Sequence, residues 1–233
     1  GAALQANFEL SIQDGNICSK TPLKDLYFGT SFSNEQIEKT LKEKDLLSEA
    51  QFIDDIDCEI GELLSKEDNI IARFSGQMEW GPRGLGNRSI LANASNLEIT
   101  RKLNHAIKMR DFWMPFGPSI LHDRIDDYLI NGKYSPHMII AFDTTNNRKD
   151  ITAAIHPFDL TCRPQTVSTK GNSGYTNVLK SFESKTGIGG ILNTSFNLHG
   201  FPIVFNPETA ISTFKNSALD YLALGNYLLK KKN

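Results

Sequence analysis

Short apolar runs alternate with helical segments in no regular order along this chain, and that alternation constrains the fold more than any other feature. Strands are predicted at residues 69–74, 137–142, 151–155, 190–192, 203–205, 219–224 and 226–229. Helices are predicted at residues 33–44, 49–65, 95–108 and 174–185, and again from residue 206. Because the two types interleave irregularly, the sequence predicts an α/β (α+β) fold, with a mixed sheet flanked by helices, over a barrel or a sandwich.

Local signals set the ends of several helices. Ser33 or Asn34 caps the first helix, and Ser95 with Glu98 three residues later has the pattern of a capping box. Gly187 is the expected end of the fourth helix, because glycine adopts the left-handed conformation at little cost.

The composition bounds the class of protein. The 233 residues are 39% hydrophobic, and 25 Lys and Arg residues against 27 Asp and Glu residues give a net charge of −2. This apolar content excludes a disordered chain, and the near-neutral charge argues against a nucleic-acid-binding protein. No apolar run reaches the roughly 18 residues of a membrane span and no signal peptide is visible, so a cytoplasmic protein is expected.

Two regions are expected along the chain. Residues 1–32 carry turn signals and are expected to be an irregular linker from a domain outside this chain, while residues 33–233 form one domain. Cys18, Cys58 and Cys162 are widely spaced, which predicts reduced thiols and not a disulfide framework. The histidines form no metal-binding pair, so no metal site is predicted within the chain.

Four polar clusters differ from an ordinary surface pattern, and they lie at residues 79–89, 108–110, 161–165 and 193–200. The first combines glycines, whose backbone can approach a ligand closely, with Arg83 and Arg88, whose guanidinium groups suit phosphate or carboxylate. The last follows an apolar run, where polar side chains of sheet proteins commonly form ligand sites. Together the clusters supply cations, hydroxyls and amides but no nucleophile–base pair, which is typical of a site that binds polyphosphate.

Each cluster also has a purely structural interpretation. The glycine-rich segment is equally typical of a tight loop whose arginines pair with Glu79 and with aspartates. Lys108 and Arg110 lie where a helix ends, and the helix dipole favours cations there. The other two clusters are compatible with solvated turns. The pattern alone leaves these alternatives open.

The four clusters, in this order, resemble the C-terminal domain of the NodU/CmcH-type O-carbamoyltransferases. The matching segments are residues 77–91, 108–119, 161–167 and 192–197. The resemblance implies a YrdC/Sua5-like fold, in which a K-x-R motif and an S-x-N motif hold nucleotide and phosphate. Lys108-Met109-Arg110 and Ser195-Phe196-Asn197 match these motifs.

The resemblance further implies that the domain joins carbamoyl phosphate and ATP, with Mg²⁺, into carbamoyladenylate. The expected catalytic residues are Lys108, Arg110, Arg163 and Ser195. The expected ligand-binding residues are Arg83, Arg88, Lys108, Arg110, Arg163, Asn193, Ser195 and Asn197. The expected partners are the small-molecule substrates, a second copy in a homodimer, and an N-terminal Kae1-like domain outside this chain. That domain would carry the family's metal site and pass the carbamoyl group to a hydroxyl acceptor.

The chain departs from the family pattern at four positions. Gln77 and Met114 stand where arginine is usual, Phe201 stands where glutamate is usual, and Gly84 replaces alanine. Each lost charge-assisted contact would cost about 1.5–3 kcal/mol of binding free energy. These departures keep open a second hypothesis, that the domain is a non-catalytic nucleotide-binding or domain-docking module.

Overall fold

One sheet of eight strands runs through the centre of the molecule. The computed structural model describes residues 2–15, 25–66, 68–108 and 114–232. In chain order the strands are β1 (Ala50–Phe52), β2 (Ile70–Phe74), β3 (Arg88–Ala92), β4 (Gly117–Leu121), β5 (Phe142–Asp143), β6 (Thr161–Cys162), β7 (Gln165–Val167), β8 (Gly190–Ser195), β9 (Tyr221–Leu224) and β10 (Tyr227–Lys230). The large sheet has the order β1-β10-β9-β2-β3-β8-β4-β7, while β5 pairs with β6. Its β2–β9 and β4–β7 pairs are parallel and its other described pairs are antiparallel, so the predicted mixed sheet is confirmed.

Helices flank this sheet. The α-helices are α1 (Ala2–Gln13), α2 (Asn34–Glu43), α3 (Ile56–Leu64), α4 (Glu98–Leu103), α5 (Ile125–Tyr128), α6 (Ser173–Thr186) and α7 (Pro207–Lys215). Short 3₁₀ segments cover Leu47–Glu49, His122–Arg124 and Asn146–Ala154, and a π-helical turn covers Asn104–Lys108 directly after α4.

Alternation along β2 divides the interior into two cores. Ile70 and Ala72 join the core that includes residues of α2, α4 and α7, whereas Ile71 joins the core that includes residues of α3 and α6. Successive side chains of a strand point to opposite faces, so burial of all five β2 residues requires cover on both faces of the sheet. Burial on both faces explains why all residues of β2 except Arg73 are apolar.

Three predicted helices are confirmed at their ends. Ser33 caps α2 and forms a capping box with Gln36. The helix α6 ends at Gly187, which has a φ of 74°. Asn206 caps α7, with Pro207 at the first helical position.

Two helix predictions need correction, and one helix was not predicted. The structure has a helix, α1, over Ala2–Gln13, within the segment 1–32 that was expected to be irregular, and the turn at Asp14-Gly15 follows it. The helix predicted from residue 49 begins at residue 56, because Ala50–Phe52 pairs with β10 and forms an edge strand. The capping box at Ser95 is absent, because its hydroxyl donates to Asn93 Oδ1 at 2.8 Å.

Three strand predictions are also wrong. Residues 137–141 lie outside strands, and only Phe142–Asp143 is extended, because Met138 has a φ of 54° and Ile139 is largely exposed. Residues 151–155 belong mostly to the 3₁₀ segment Asn146–Ala154. Residues 203–205 follow Pro202, which has no N–H to donate, and form no strand. Strand β3 was missed because it begins with polar residues of the glycine-rich cluster.

Two further predictions bear on the chain as a whole. Cys58 and Cys162 are free thiols, and burial raises the pKa of Cys162 to about 12; Cys18 lies outside the described residues. Within the described ranges, no helix is long and apolar enough to cross a bilayer.

Candidate functional site

The loop between β2 and β3 is built around the carboxylate of Glu79. Glu79 Oε1 accepts hydrogen bonds from the backbone N–H groups of Leu85 (2.7 Å), Asn87 (2.7 Å) and Arg88 (3.0 Å). Glu79 is 3% exposed, so its charge is buried and compensated by backbone dipoles. If the glycine-rich segment were only a tight loop, its arginines were expected to pair with Glu79. The described hydrogen bonds of Glu79 go instead to backbone N–H groups of the loop.

Arg88 belongs to the same loop but its guanidinium faces the interior. Its side chain is fully buried, and Nη1 donates to the carbonyl oxygens of Ser75 (2.8 Å) and Asn87 (3.0 Å). The guanidinium carbon lies 3.6 Å from the centre of the Phe74 ring. Burial lowers the pKa of Arg88 to about 10.

Arg83, five residues earlier, lines an open pocket. The space that it encloses, together with adjoining open solvent, is about 320 Å³. The lining residues are Pro82, Arg83, Gly84, Gly117, Met138, Arg163, Asn193, Thr194 and Ser195. They come from the Glu79 loop, the start of β4, the segment before β5, the turn between β6 and β7, and the end of β8. Sheet pairing of β8 with both β3 and β4 brings these distant segments together.

The positive charge of the pocket has no carboxylate partner in the described part of the chain. Among the described residues its lining contains no carboxylate, and neither Arg83 nor Arg163 forms an ion pair or a side-chain hydrogen bond. Burial, and secondly the nearby charge of Arg83, lower the pKa of Arg163. Two guanidinium groups that repel each other in a polar hollow favour an anion between them. A bound phosphate would remove this repulsion.

Lys108 holds the turn that follows β8. Its Nζ donates to Ser195 O at 2.6 Å and Asn197 Oδ1 at 2.8 Å, and lies 3.3 Å from Ser195 Oγ. Ser195 Oγ donates to Asn197 Oδ1 at 2.7 Å, so these two side chains lie side by side. Lys108 is 4% exposed. Lys108 of the K-x-R motif therefore contacts Ser195 and Asn197 of the S-x-N motif. Ser195 also lines the pocket.

A network of buried amides and hydroxyls supports the pocket from behind. Asn193 Nδ2 donates to Gly84 O (3.1 Å) and Gln165 Oε1 (3.0 Å), and Gln165 Oε1 also accepts from Ser119 Oγ (2.9 Å). Tyr175 Oη donates to Ser119 Oγ at 2.8 Å. Sequence reasoning missed Ser119, Gln165 and Glu79 as organising residues. For Ser119, the available signal was a polar residue within the otherwise apolar strand β4.

The predicted site residues thus separate into groups. Arg83, Arg163, Asn193 and Ser195 share the pocket, while Lys108 and Asn197 contact Ser195. Arg88 is not part of the lining, and Arg110 lies outside the described residues. Of the four departures from the family pattern, Gly84 lines the pocket, whereas Gln77, Met114 and Phe201 do not.

The described residues offer no site for a bound metal. No group of three His, Cys, Asp or Glu side chains in these ranges could hold an ion. The pocket also lacks a carboxylate, the ligand that Mg²⁺ prefers from proteins. Any Mg²⁺ at this pocket would have to depend on ligands supplied by a nucleotide or by residues outside these ranges.

Comparisons with known proteins agree with this assembly of motifs. The family described as "Carbamoyltransferase C-terminus" matches residues 62–231. An uncharacterized protein of Methanocaldococcus jannaschii is 42% identical over 215 residues, which cover 90% of this chain and 41% of that protein. Nodulation protein NolO of Bradyrhizobium diazoefficiens is 34% identical over the whole chain and 43% of its own length. The chain thus spans less than half the length of these relatives, and it belongs to the carbamoyltransferase C-terminal family of the NodU type.

Proposed function

We propose that this chain binds carbamoyl phosphate and ATP and forms carbamoyladenylate within an O-carbamoyltransferase. The observation that carries the proposal is the placement of Arg83 and Arg163, without a carboxylate, in one pocket of a chain from this family. Their charges suit the phosphates of the two substrates. Ser195, which lines the same pocket, supplies a hydroxyl.

The proposed reaction has a defined balance. Carbamoyl phosphate takes up one water and releases inorganic phosphate and carbamate. A carbamate oxygen then attacks the α-phosphorus of ATP, the bond to the β-phosphate oxygen breaks, and pyrophosphate leaves. The chain's own residues act by positioning and by charge stabilisation. Arg83 and Arg163 neutralise phosphate oxygens, while Lys108 holds the Ser195–Asn197 turn in place.

The acceptor step belongs to another domain in this proposal. The relatives that match this chain are more than twice its length, which leaves room for the Kae1-like domain that the resemblance implies. That domain would receive carbamoyladenylate and transfer the carbamoyl group to a hydroxyl.

Calorimetry and product analysis test the proposal. The 233-residue chain is expected to bind carbamoyl phosphate and ATP, and to release pyrophosphate and inorganic phosphate in equal amounts only when both are present. Arg83→Ala is expected to weaken binding by about 10- to 150-fold, which corresponds to the loss of one charge-assisted contact of about 1.5–3 kcal/mol. Arg101→Ala is the matched control, because the Arg101 side chain is 82% exposed and pairs with Glu98 outside the pocket.

The outcomes separate the two functions considered. Binding of ATP without pyrophosphate release would support a nucleotide-binding or docking module instead of an enzyme. Absence of binding of both ligands at millimolar concentration would contradict both carbamoyladenylate formation and nucleotide binding by this chain. An equal loss of binding affinity in Arg83→Ala and Arg101→Ala would contradict a role for the pocket in binding the two substrates.

A further inference from the structure

A second groove lies at the other end of strands β4 and β7 from the pocket that Arg83 lines. Leu121 and Val167, the last residues of these two strands, line this β4–β7 groove, whereas Gly117, the first residue of β4, lines the Arg83 pocket. The described lining residues of the two do not overlap. β4 and β7 are parallel, with Leu121 beside Val167. Ligands of open α/β sheets commonly bind outside the carboxyl ends of the strands, so this position favours a ligand site.

The groove is large enough for a small molecule. The space that it encloses, together with adjoining open solvent, is about 970 Å³, against about 320 Å³ for the Arg83 pocket. Sites for small molecules and cofactors usually have volumes of about 300–1,000 Å³. The groove therefore has room for a ligand of the size of a mononucleotide.

Cations outnumber carboxylates in the β4–β7 groove. Lys170, from the loop after β7, and Lys180, from α6, both line it, and Asp123 is the one carboxylate among its described lining residues. Within the described ranges, neither lysine forms an ion pair or a side-chain hydrogen bond. An ammonium group is a compact charge that commonly binds phosphate in proteins. The excess of positive charge therefore favours an anionic ligand.

Tyr134 adds an aromatic wall to this charge. It is 48% exposed, and its ring contacts His122 edge-on, with the ring centres 5.5 Å apart. Such an edge-to-face contact holds the tyrosine ring in one orientation. The buried side chains of Leu121 and Val167 supply apolar surface in the same lining. An exposed aromatic ring beside apolar surface can stack on a planar ring of a ligand.

We propose that the β4–β7 groove is a second binding site of this chain and that it takes a nucleoside phosphate. The phosphates bind Lys170 and Lys180, and the base stacks on Tyr134. This inference does not depend on the proposed function, because the groove and the Arg83 pocket have different linings. An acidic polypeptide would also suit the two lysines. It would leave the tyrosine ring unused, so the role of Tyr134 distinguishes the two kinds of ligand.

Equilibrium dialysis with labelled ATP counts the sites on the 233-residue chain. Two ATP molecules per chain are expected, one in the groove and one in the Arg83 pocket. Lys170→Gln combined with Lys180→Gln is expected to weaken one site by about tenfold, and Arg83→Ala is expected to weaken the other. The matched control combines Lys39→Gln with Lys185→Gln, which removes the same charge from side chains outside both linings. This control is expected to change neither site by more than about threefold.

The outcomes separate this inference from the proposed function. A single ATP site that the Lys170 and Lys180 substitutions weaken, and that Arg83→Ala leaves unchanged, would support the groove and contradict the proposed function. If the number and affinity of the ATP sites are the same in the double-lysine variant as in the unmodified chain, the inference is overturned and the Arg83 pocket is unaffected. Absence of ATP binding would overturn both.

A second comparison tests the class of ligand. In the Arg83→Ala chain, AMP is expected to bind at least about fivefold more tightly than ribose 5-phosphate, which lacks the base. Addition of Tyr134→Ala is expected to remove this preference, because it removes the ring on which the base stacks. Equal affinity for AMP and ribose 5-phosphate, or tighter binding of poly-glutamate than of AMP, would overturn the assignment to a nucleoside phosphate.

Discussion

At the residue scale, charged side chains in this interior are matched to backbone groups more than to each other. Glu79 accepts from three N–H groups, Arg88 donates to carbonyl oxygens, and Lys108 donates to Ser195 O. A buried charge is costly unless hydrogen bonds replace its hydration, and backbone groups supply them at fixed positions. Among the buried charged side chains that the structure describes, Arg73 is the exception, because it forms a 2.7 Å ion pair with Asp57.

Replacement of the Glu79 carboxylate tests this arrangement. Glu79→Gln removes the charge beside Arg88 and weakens the acceptor of three N–H groups, so the free energy of unfolding is expected to fall by about 2 kcal/mol. Urea unfolding measures the loss. Glu98→Gln is the control and is expected to stay within about 0.5 kcal/mol, because the Glu98 side chain is 68% exposed. Similar losses in the two variants would contradict the special role of Glu79.

Lys108 offers a second test. Lys108→Met keeps the aliphatic volume but leaves Ser195 O and Asn197 Oδ1 without their cationic donor, so a loss of about 2–3 kcal/mol is expected in urea unfolding. Lys102→Met, in the last turn of α4, removes an ion pair with Asp220 whose side chains are 39% and 31% exposed, and it is expected to cost less than about 1 kcal/mol. A smaller loss of unfolding free energy for Lys108→Met than for Lys102→Met would contradict the role of Lys108 in holding the turn after β8.

At the scale of elements, local chemistry fixes the helix ends and long-range pairing fixes the strands. Caps at Ser33 and Asn206 lie within three residues of the N–H groups that they satisfy. In contrast, residues 50–52 become a strand only because β10 lies beside them. Residues 151–155 have a strand-like composition in part but pack as a 3₁₀ segment, with Ile151 buried. Short apolar runs therefore predict burial more reliably than they predict strand pairing.

The end of α6 gives a prediction at this scale. Gly187→Ala introduces a Cβ at a φ of 74°, so the variant is expected to lose about 1 kcal/mol although no atom lies within 4 Å of the new carbon. Gly171→Ala is the matched control, because its φ is not in the left-handed region and its nearest neighbour would be 3.7 Å away. Thermal unfolding of both variants separates backbone strain from the mere addition of a methyl group. Equal transition temperatures for the two variants would show that a side chain at residue 187 causes no backbone strain.

At the scale of the whole molecule, tyrosines with a raised pKa couple folding to pH. Burial raises the pKa of Tyr27 to about 12, and burial also raises the pKa of Tyr175. Tyr27 Oη donates to Leu85 O at 2.8 Å, so the neutral phenol is part of the pocket's supporting structure. In the unfolded chain a tyrosine loses its proton near pH 10.

The sign of the pH dependence follows from these values. Between pH 10 and 12 the unfolded state binds fewer protons at Tyr27 than the folded state, so the free energy of unfolding falls as pH rises. The slope reaches about 1.4 kcal/mol per pH unit for each such tyrosine. Urea unfolding at several pH values measures it, and Tyr27→Phe is expected to reduce the slope. A slope that is the same in both proteins would contradict the role of Tyr27.

The sequence alone determined the layered α/β fold, the capped helices, and the family to which the four polar clusters belong. These features depend on local periodicity, on caps, and on motifs that can be read along the chain. The prediction also placed Arg83, Arg163, Asn193 and Ser195 in one site, and the structure brings them into one pocket.

Only the tertiary structure decided that Arg83 lines the pocket and that Arg88 is buried in the interior. Arg83 and Arg88 are five residues apart in one glycine-rich loop, and nothing local distinguishes them. Arg88 begins β3 and meets the carbonyl oxygens of the chain after β2, whereas Arg83 lies in the loop, against the end of β8. The physical reason is that hydrogen-bond partners and the charge around a side chain come from segments up to about a hundred residues away, brought together by the pairing of β8 with β3 and β4.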